Sequence, residues 1–542
     1  MQFDLKGRYE DVRSRFRWVV PDRLNMGAQI ADAPAAANPD APAILDGNTG
    51  EATSFGVVVD EAARLSGALL ALGARRGERV AVIAPQGVRT LIVQAAILRL
   101  GLVSVPLSER YGRDALAHRM RDSGARFAFV SAQGLAGLAA IEGGLPDLEH
   151  TICLDGPSGG ALGYEDILAA KGDAVPPAET GPDDPALMIY TSGTTGAAKG
   201  ALHGHRVLWG HGPGFLFSHG GSISPDDLFY TPADWAWAGG LLNLLFPALA
   251  LGCPVVAWPQ SGRFDPAATV AMMAARQVSH AFIPPTALKM IRAECGVDQV
   301  AGIGLRSVMS AGEALGRETY VWAQQALGFA ISEAYGQTEC NLILGSSEHH
   351  GVTRAGATGV PVPGHDVVIV REDGTETSDG ETGEIAVRMP DPVAFLGYWK
   401  AKAATTRKFL HSPTLGQLLM TGDMAERDGD GFIWFLGRDD DVITSSGHRI
   451  GPGESEDCLT AHPAVAMAAV IGVPDALRTE IVRAFVVLRD GYEPSNALAE
   501  TLRQHVRGSL AAHEYPRDIR FVESLPMTTT GKIIRRLLKG EA

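Results

Sequence analysis

DEAARLSGALLALGARRGERVAVIAPQGVRTLIVQAAILRLGLVSVPL, residues 60–107, decides the fold class. Its first fifteen residues repeat apolar side chains at helical spacing, and RVAVIAP follows as an unbroken apolar run too short for a helix. VRTLIVQAAILRLG then returns to the helical period, and VSVPL closes as a second short apolar run. Helix and strand in alternation predict an α/β fold, a mainly parallel sheet with flanking helices. The same alternation continues over about four-fifths of the chain, as expected where each strand needs a helical crossover to return parallel. Between about 352 and 437 it gives way to short pieces such as VVIV and GEIAVR set among Gly, Asp and Pro turns, so a β-rich subdomain is expected there. Past GRDDDVITSSGHRIG a mixed segment begins, with AMAAVIGV and RAFVVL as strands and AETLRQHVRGSLAAH as a helix. We therefore expect a large N-terminal domain over 1–437 and a small α+β domain over 438–542, with a hinge at about Asp440.

The whole chain is consistent with this size of fold. At 542 residues it exceeds the roughly 250–300 at which one hydrophobic core stops growing. A formal charge of −15 argues against nucleic acid or an anionic membrane surface as partner, since both attract clustered Lys and Arg. The five Cys are scattered with no CxxC pair, which suggests neither a disulfide framework nor a zinc site and suits a cytoplasmic protein. The N-terminus MQFDLKGRYEDVRSRFRW lacks the apolar core of a secretory signal. Between Asp234 and Arg263 no charge occurs, but Pro247 and Cys253-Pro254 divide the stretch into a buried helix and a buried strand, not a membrane span. His203, His205, His211 and His219 crowd one segment, yet their spacing is loose and no Cys or acidic residue joins them, so no metal is expected there.

The sharpest local signal is YTSGTTGAAKG, residues 190–200. Thr191, Ser192, Gly193, Thr194, Thr195 and Gly196 can converge backbone N–H groups and hydroxyls on a phosphate while Lys199 adds charge. Gly200 follows the Lys where a Walker loop needs Ser or Thr, so the stretch is not a P-loop. By itself it reads equally as a phosphate cradle or a plain flexible turn. It is accompanied, in order, by ADWAWAGG (233–240), SAGEAL (310–315), AYGQTE (334–339), TGD (421–423), GRDDDVITSSGHRIGPGESE (437–456) and PMTTTGK (526–532). This ordered set resembles the adenylate-forming superfamily of acyl-CoA synthetases, peptide-synthetase adenylation domains and luciferases, over nearly the entire chain. SSGHRIGP, HPAV, RAFVVL and YPRDIRFVESLP look most like its medium-chain acyl-CoA synthetases.

The resemblance implies an AMP-forming ligase that joins a carboxylic acid to CoA through an acyl-adenylate, using ATP and Mg²⁺. A carboxylate attacking a phosphate must overcome repulsion between anions, so positioning and cations carry the catalysis. By resemblance, Thr191, Ser192, Gly193, Thr194, Thr195 and Lys199 hold the outer phosphates. Thr338 bonds a phosphate, and Glu339 takes Mg²⁺, a hard cation suited to one or two carboxylates. Gly312, Glu313, Ala334, Tyr335, Gly336 and Gln337 surround the nucleotide, Asp423 accepts the ribose hydroxyls, and Arg438 and Arg449 lie close by. Lys532 reaches the α-phosphate and the substrate carboxylate. The small domain is implied to be mobile, turning about Asp440 to bring the CoA path of Gly447, His448 and Arg478 to the site.

Trp235, Trp237, Ala238, Gly239, Ala311 and Gly336 are implied to line the acyl pocket. Acetate-specific relatives carry a Trp at the place of Gly336, so an acid larger than acetate is expected: short- or medium-chain, branched or aromatic. Trp235, standing where a smaller side chain is commoner, is expected to cap the pocket at moderate length. Pro526 and Gly531-Lys532 match the pattern that protein acetyltransferases read in related synthetases, which makes a lysine acetyltransferase and its deacetylase expected partners at Lys532. A monomer or homodimer is expected. The alternatives are a stand-alone ligase loading a carrier protein and, from another class, a P-loop-like NTPase. Ser455, in the place of an aliphatic residue, has no account at this level.

Overall fold

Ser54 shows how the alternating pattern becomes structure. Its hydroxyl accepts a hydrogen bond from Val57 N at 3.4 Å, capping the helix Phe55–Ala71, whose inner face carries Val58, Ala62, Leu65 and Leu69 at 0% exposure. Each such Leu contributes about 1.5–3 kcal/mol by leaving water, so the helix is held mainly by that face. The next helix, Val88–Arg99, is buried nearly all round, with polar Thr90, Gln94 and Arg99 among its buried residues. Pro266–Arg276 starts on the Asp265 side chain, which accepts from Ala268 N at 2.9 Å, and stops at Gln277 in the left-handed region, φ 57°.

In this computed structural model the described residues are all except 1–2, 172, 192–196, 222, 261, 439–440, 446–447, 476–478, 511–514, 528–532 and 541–542, with the side chains of 171, 444, 448, 449 and 540 also outside the description. Two large sheets build the main body. One has eight strands, parallel from Val103–Pro106 through Arg79–Ile83, Phe127–Val130 and His150–Cys153. The other has nine, parallel through Val255–Ala257, Phe229–Tyr230, His280–Phe282, Ser307–Ala311 and Ser332–Gln337. A single core joins Phe127 and Phe129 of the first sheet to Phe229 and Phe282 of the second through the helices at 55–71 and 88–99.

The charge-free stretch runs as a continuous helical segment, Ala238–Gly240, Leu241–Leu245 and Phe246–Ala250, the middle part with π-helical turns, followed by the strand Val255–Ala257. Its leucines are fully buried in that core. Among the described residues no helix is long and apolar enough to cross a membrane. The β-rich region forms an antiparallel sheet from Val367–Val370 to Ile433–Arg438. The chain from 443 onward has its own five-stranded sheet and core, including Ile443, Val470, Ala484 and Leu502.

The crowded histidines are core residues with separate roles. His205 Nδ1 accepts from Met26 N at 2.9 Å, His211 Nδ1 donates to Val207 O at 2.7 Å, and His219 bonds the Ser307 hydroxyl at 2.7 Å. Burial pushes His205 and His211 down to about 4 and His203 to about 3, so they are neutral imidazoles at pH 7. Ser455 is fully buried within the helix Pro452–Ala461, and nothing further explains its identity.

Candidate active site

Four neighbouring parallel strands of the nine-stranded sheet end on one edge. Phe229–Tyr230 leads into Ala233–Trp237, His280–Phe282 into Thr286, Ser307–Ala311 into Gly312 and Glu313, and Ser332–Gln337 into Thr338 and Glu339. Ligands of open α/β sheets bind outside the carboxyl ends of the strands, so motifs scattered over 100 residues of sequence converge there for a topological reason.

Asp423 is the most tightly organised group. It is 4% exposed, and its Oδ2 accepts from Tyr335 Oη at 2.6 Å and from Gln337 Nε2 at 2.7 Å. Arg438, its cross-strand partner, pairs its Nη1 with Oδ1 at 3.1 Å, and among the described residues that buried oxygen accepts no hydrogen bond. A buried carboxylate oxygen without a donor is costly unless a ligand completes it. Lys408 holds the scaffold from behind, donating to Thr421 O at 3.0 Å, Met420 O at 3.1 Å and Gln337 Oε1 at 3.3 Å. Burial and the Asp423 charge raise Tyr335 well above the ordinary phenol range, which keeps its proton available to that carboxylate.

Glu339, 7% exposed, accepts the hydroxyl of Tyr398 on Oε1, and among the described residues no donor meets Oε2. Burial and the same carboxylate raise Tyr398, so it too stays protonated. The Tyr398 ring lies 5.7 Å from Lys199 Nζ, a cation–π contact that draws the loop lysine towards Glu339. Thr191 and Lys199 face each other across the antiparallel strands Pro185–Thr191 and Lys199–Gly204, which fixes both ends of the loop. Glu313 accepts the Thr286 hydroxyl at 2.9 Å, and Gly312, at φ 104°, leaves room for Trp237.

The indole of Trp237 covers the small residues. A Cβ on Gly239 would meet the ring at 2.5 Å and one on Gly312 at 2.9 Å, while Phe282 lies beside it at 6.0 Å between centroids. Ala238 and Ala311 are buried nearby in the same core. Trp235 is 2% exposed within that core, and it is Trp237 that contacts the two glycines. The expectation for Gly336 needs correction. A Cβ there would meet Leu342 N at 2.5 Å and Asn341 Cα at 2.6 Å, so this glycine answers a close approach of the next strand and does not open space for an acyl group.

The described residues thus bring together Thr191, Lys199, Trp237, Gly312, Glu313, Ala334, Tyr335, Gln337, Thr338, Glu339, Asp423 and Arg438. Ser192, Gly193, Thr194, Thr195, Asp440, Gly447, Arg478 and Lys532 lie outside them, as do the side chains of His448 and Arg449, whose backbone forms the strand His448–Ile450. Sequence reading missed Tyr398, Lys408 and Thr286. Only Tyr398, in GYWK beside the fold's β-rich region, carried any local cue, an isolated aromatic pair between turns.

The family model of the AMP-binding enzymes matches residues 31–399, and that of the AMP-binding enzyme C-terminal domain matches 454–532. An acyl–CoA ligase of Bacillus subtilis (strain 168), YtcI, is 33% identical over 90% of this chain and 89% of its own. The mitochondrial acyl-coenzyme A synthetase ACSM4 of Mus musculus is 32% identical over 86% of this chain and 80% of its own. Acetyl-coenzyme A synthetase of Bacillus subtilis (strain 168) is 29% identical over 98% and 94%. Among solved structures, the anthranilate CoA ligase AuaEII in complex with anthranoyl-AMP superposes with a TM-score of 0.88 at 28% identity, covering 96% of this chain and 98% of that one. With its likeness running through both matched regions, the chain belongs to the AMP-binding enzyme family and is an AMP-forming acyl-CoA ligase.

Proposed function

We propose that the acid is larger than acetate and that the two half-reactions divide between the strand-edge site and the region past residue 438. In the first, a carboxylate oxygen attacks the α-phosphate of ATP, the bond to the departing diphosphate breaks, and an acyl-adenylate forms. In the second, the thiol of CoA loses its proton and attacks the acyl carbon, and AMP leaves. The observation that carries the nucleotide half is the donor-free Oδ1 of Asp423, which suits two vicinal ribose hydroxyls as donors. Thr191, Lys199 and Thr338 would meet the phosphates, and Gly312, Glu313 and Ala334 the base. Glu339, whose hydroxyl partner Tyr398 carries its ring 5.7 Å from Lys199, would hold Mg²⁺ together with phosphate oxygens. The ion, when bound, neutralises phosphate charge and favours departure of diphosphate.

Lys532 would neutralise the α-phosphate and the acid in the first step, and a turn about Asp440 would replace it with Gly447, His448 and Arg478 for the second. Arg449 would contact ATP or an interface carboxylate. The size of the acid is argued from the small residues beneath Trp237. With the indole turned aside, Gly239 and Gly312 border a space of indole dimensions, enough for several methylenes or one ring. Solved structures named for aromatic acids, anthranilate and benzoate, support this reading, whereas the likeness to acetyl-coenzyme A synthetase argues for a smaller acid.

The test is kcat/KM for two- to eight-carbon acids and benzoate, in the parent and in Trp237→Ala. Each buried methylene is worth up to about 0.8 kcal/mol, or about fourfold, until the space fills. The parent should favour acids beyond acetate, and Trp237→Ala should move the optimum to longer ones. Acetate as the parent's best substrate would contradict the proposal.

A further inference from the structure

Asn243 is the one polar side chain in LLNLLFPALALG, and it is 3% exposed amid leucines. Its Oδ1 accepts from Asn341 Nδ2 at 2.6 Å, and Asn341, 7% exposed, accepts on its own Oδ1 from Leu342 N at 2.9 Å. That second bond fixes the orientation of both amides. Asn341 must keep its oxygen on the Leu342 amide, so it offers its nitrogen to Asn243, which must answer with oxygen. The Nδ2 group of Asn243 is left over, with no acceptor among the described residues.

Two features place this donor beside the acyl pocket. Gly239, under the Trp237 ring, and Asn243 are four residues apart on one continuous helical run, so they share a face, with Asn243 about 6 Å farther along. Asn341 closes from the other side, on the strand Cys340–Gly345. The backbone is bent to permit it. Leu342 sits at φ 53°, a conformation that a branched residue holds only when its surroundings enforce it, and the pairing of Ser332–Gln337 with Cys340–Gly345 shifts register at this point.

We propose that Asn243, oriented by Asn341, is a specificity residue for the far end of the acid, and that the substrate carries a hydrogen-bond acceptor there, as a hydroxyl, carbonyl or ring nitrogen. This rests on the acyl-CoA ligase reading and on the pocket under Trp237. A donor fixed in an apolar wall is left unpaired by a plain alkyl or phenyl group, so such acids are rejected, whereas an acceptor at that depth completes it.

The experiment compares kcat/KM for AMP formation with 4-oxopentanoate against pentanoate and with 3-hydroxybenzoate against benzoate. In the parent at least one acceptor-bearing acid should be favoured about tenfold or more over its plain partner. Asn243→Leu should bring that ratio to one or below, by raising the plain acid as well as lowering its acceptor-bearing partner. Asn243→Asp, which accepts but does not donate, should retain the hydroxy acid and reject the oxo acid, and it tests the same point if the leucine variant fails to fold. Plain acids preferred in both pairs by the parent, or equal loss of both members in the variants, would overturn the proposal and leave the amides a purely structural pair. Failure of the parent to form AMP with any of the four acids would instead strike at the substrate reading beneath it.

Discussion

Asp423→Asn removes one charge and leaves the shape intact. In the parent, Oδ2 accepts from Tyr335 and Gln337, and Oδ1 forms an ion pair with Arg438 but accepts no hydrogen bond. The amide can satisfy the first two donors only by turning its oxygen towards them, which points its NH₂ group at the site and at the Arg438 guanidinium. No acceptor then remains for the ribose. Two hydrogen bonds to a charged acceptor, at about 1.5–3 kcal/mol each, amount to about 3–6 kcal/mol, or about a hundred- to ten-thousandfold in kcat/KM for ATP. The assay is acid-dependent exchange of labelled diphosphate into ATP, with thermal unfolding as the control for integrity. The loss should sit in the ATP parameter and not in that of the acid. An exchange rate within about threefold of the parent would refute the assignment of Asp423 to the ribose.

Tyr398→Phe keeps the ring beside Lys199 but removes the donor to Glu339, so the Mg²⁺ concentration giving half-maximal adenylation should rise by about tenfold; an unchanged titration would count against Glu339 as the ion's ligand. Glu333 is raised by burial to about 7 from an ordinary 4.5, so the folded state binds its proton more tightly than the unfolded one. Stability from this group is therefore full below about pH 4.5 and is lost as pH rises through about 7, by about 3 kcal/mol at most; Glu333→Gln should flatten that decline in Tm. Lys532→Ala should abolish acyl-adenylate formation while sparing transfer from supplied acyl-adenylate to CoA, and equal loss of both half-reactions would sink a role confined to the first. Incubation with a protein acetyltransferase and acetyl-CoA should modify Lys532 and silence the same step, as mass spectrometry and the exchange assay would show.

The sheet architecture was legible because burial on both faces leaves a strand with no polar positions, as in RVAVIAP, and because helices of the length of 55–71 and 88–99 write their period over many residues. The charge-free stretch was legible in part: the helical run continues through Pro247, and the chain breaks only at Cys253-Pro254 into the strand Val255–Ala257. Tyr398 and Lys408 were not legible. Each acts on a residue about 60 to 70 positions away, Glu339 and Gln337, through a pairing of strands that no local pattern encodes. Gly336 was misread because a glycine's identity tells that a Cβ is missing but not which way it would point, and here it would point into the backbone of Asn341. Trp235 was expected to cap the pocket, yet the chain turns into a helix directly after Trp237, and it is that indole that lies over Gly239 and Gly312.

An acid labelled with ¹⁸O in its carboxylate tests the account at its centre. If the carboxylate attacks the α-phosphate, one labelled oxygen must pass to the phosphorus and remain there when CoA displaces the acyl group. Mass spectrometry of the products should find one ¹⁸O in AMP, none in diphosphate, and the acyl group joined to CoA. Label in orthophosphate, or AMP without label, would contradict the acyl-adenylate and with it the role given to this site.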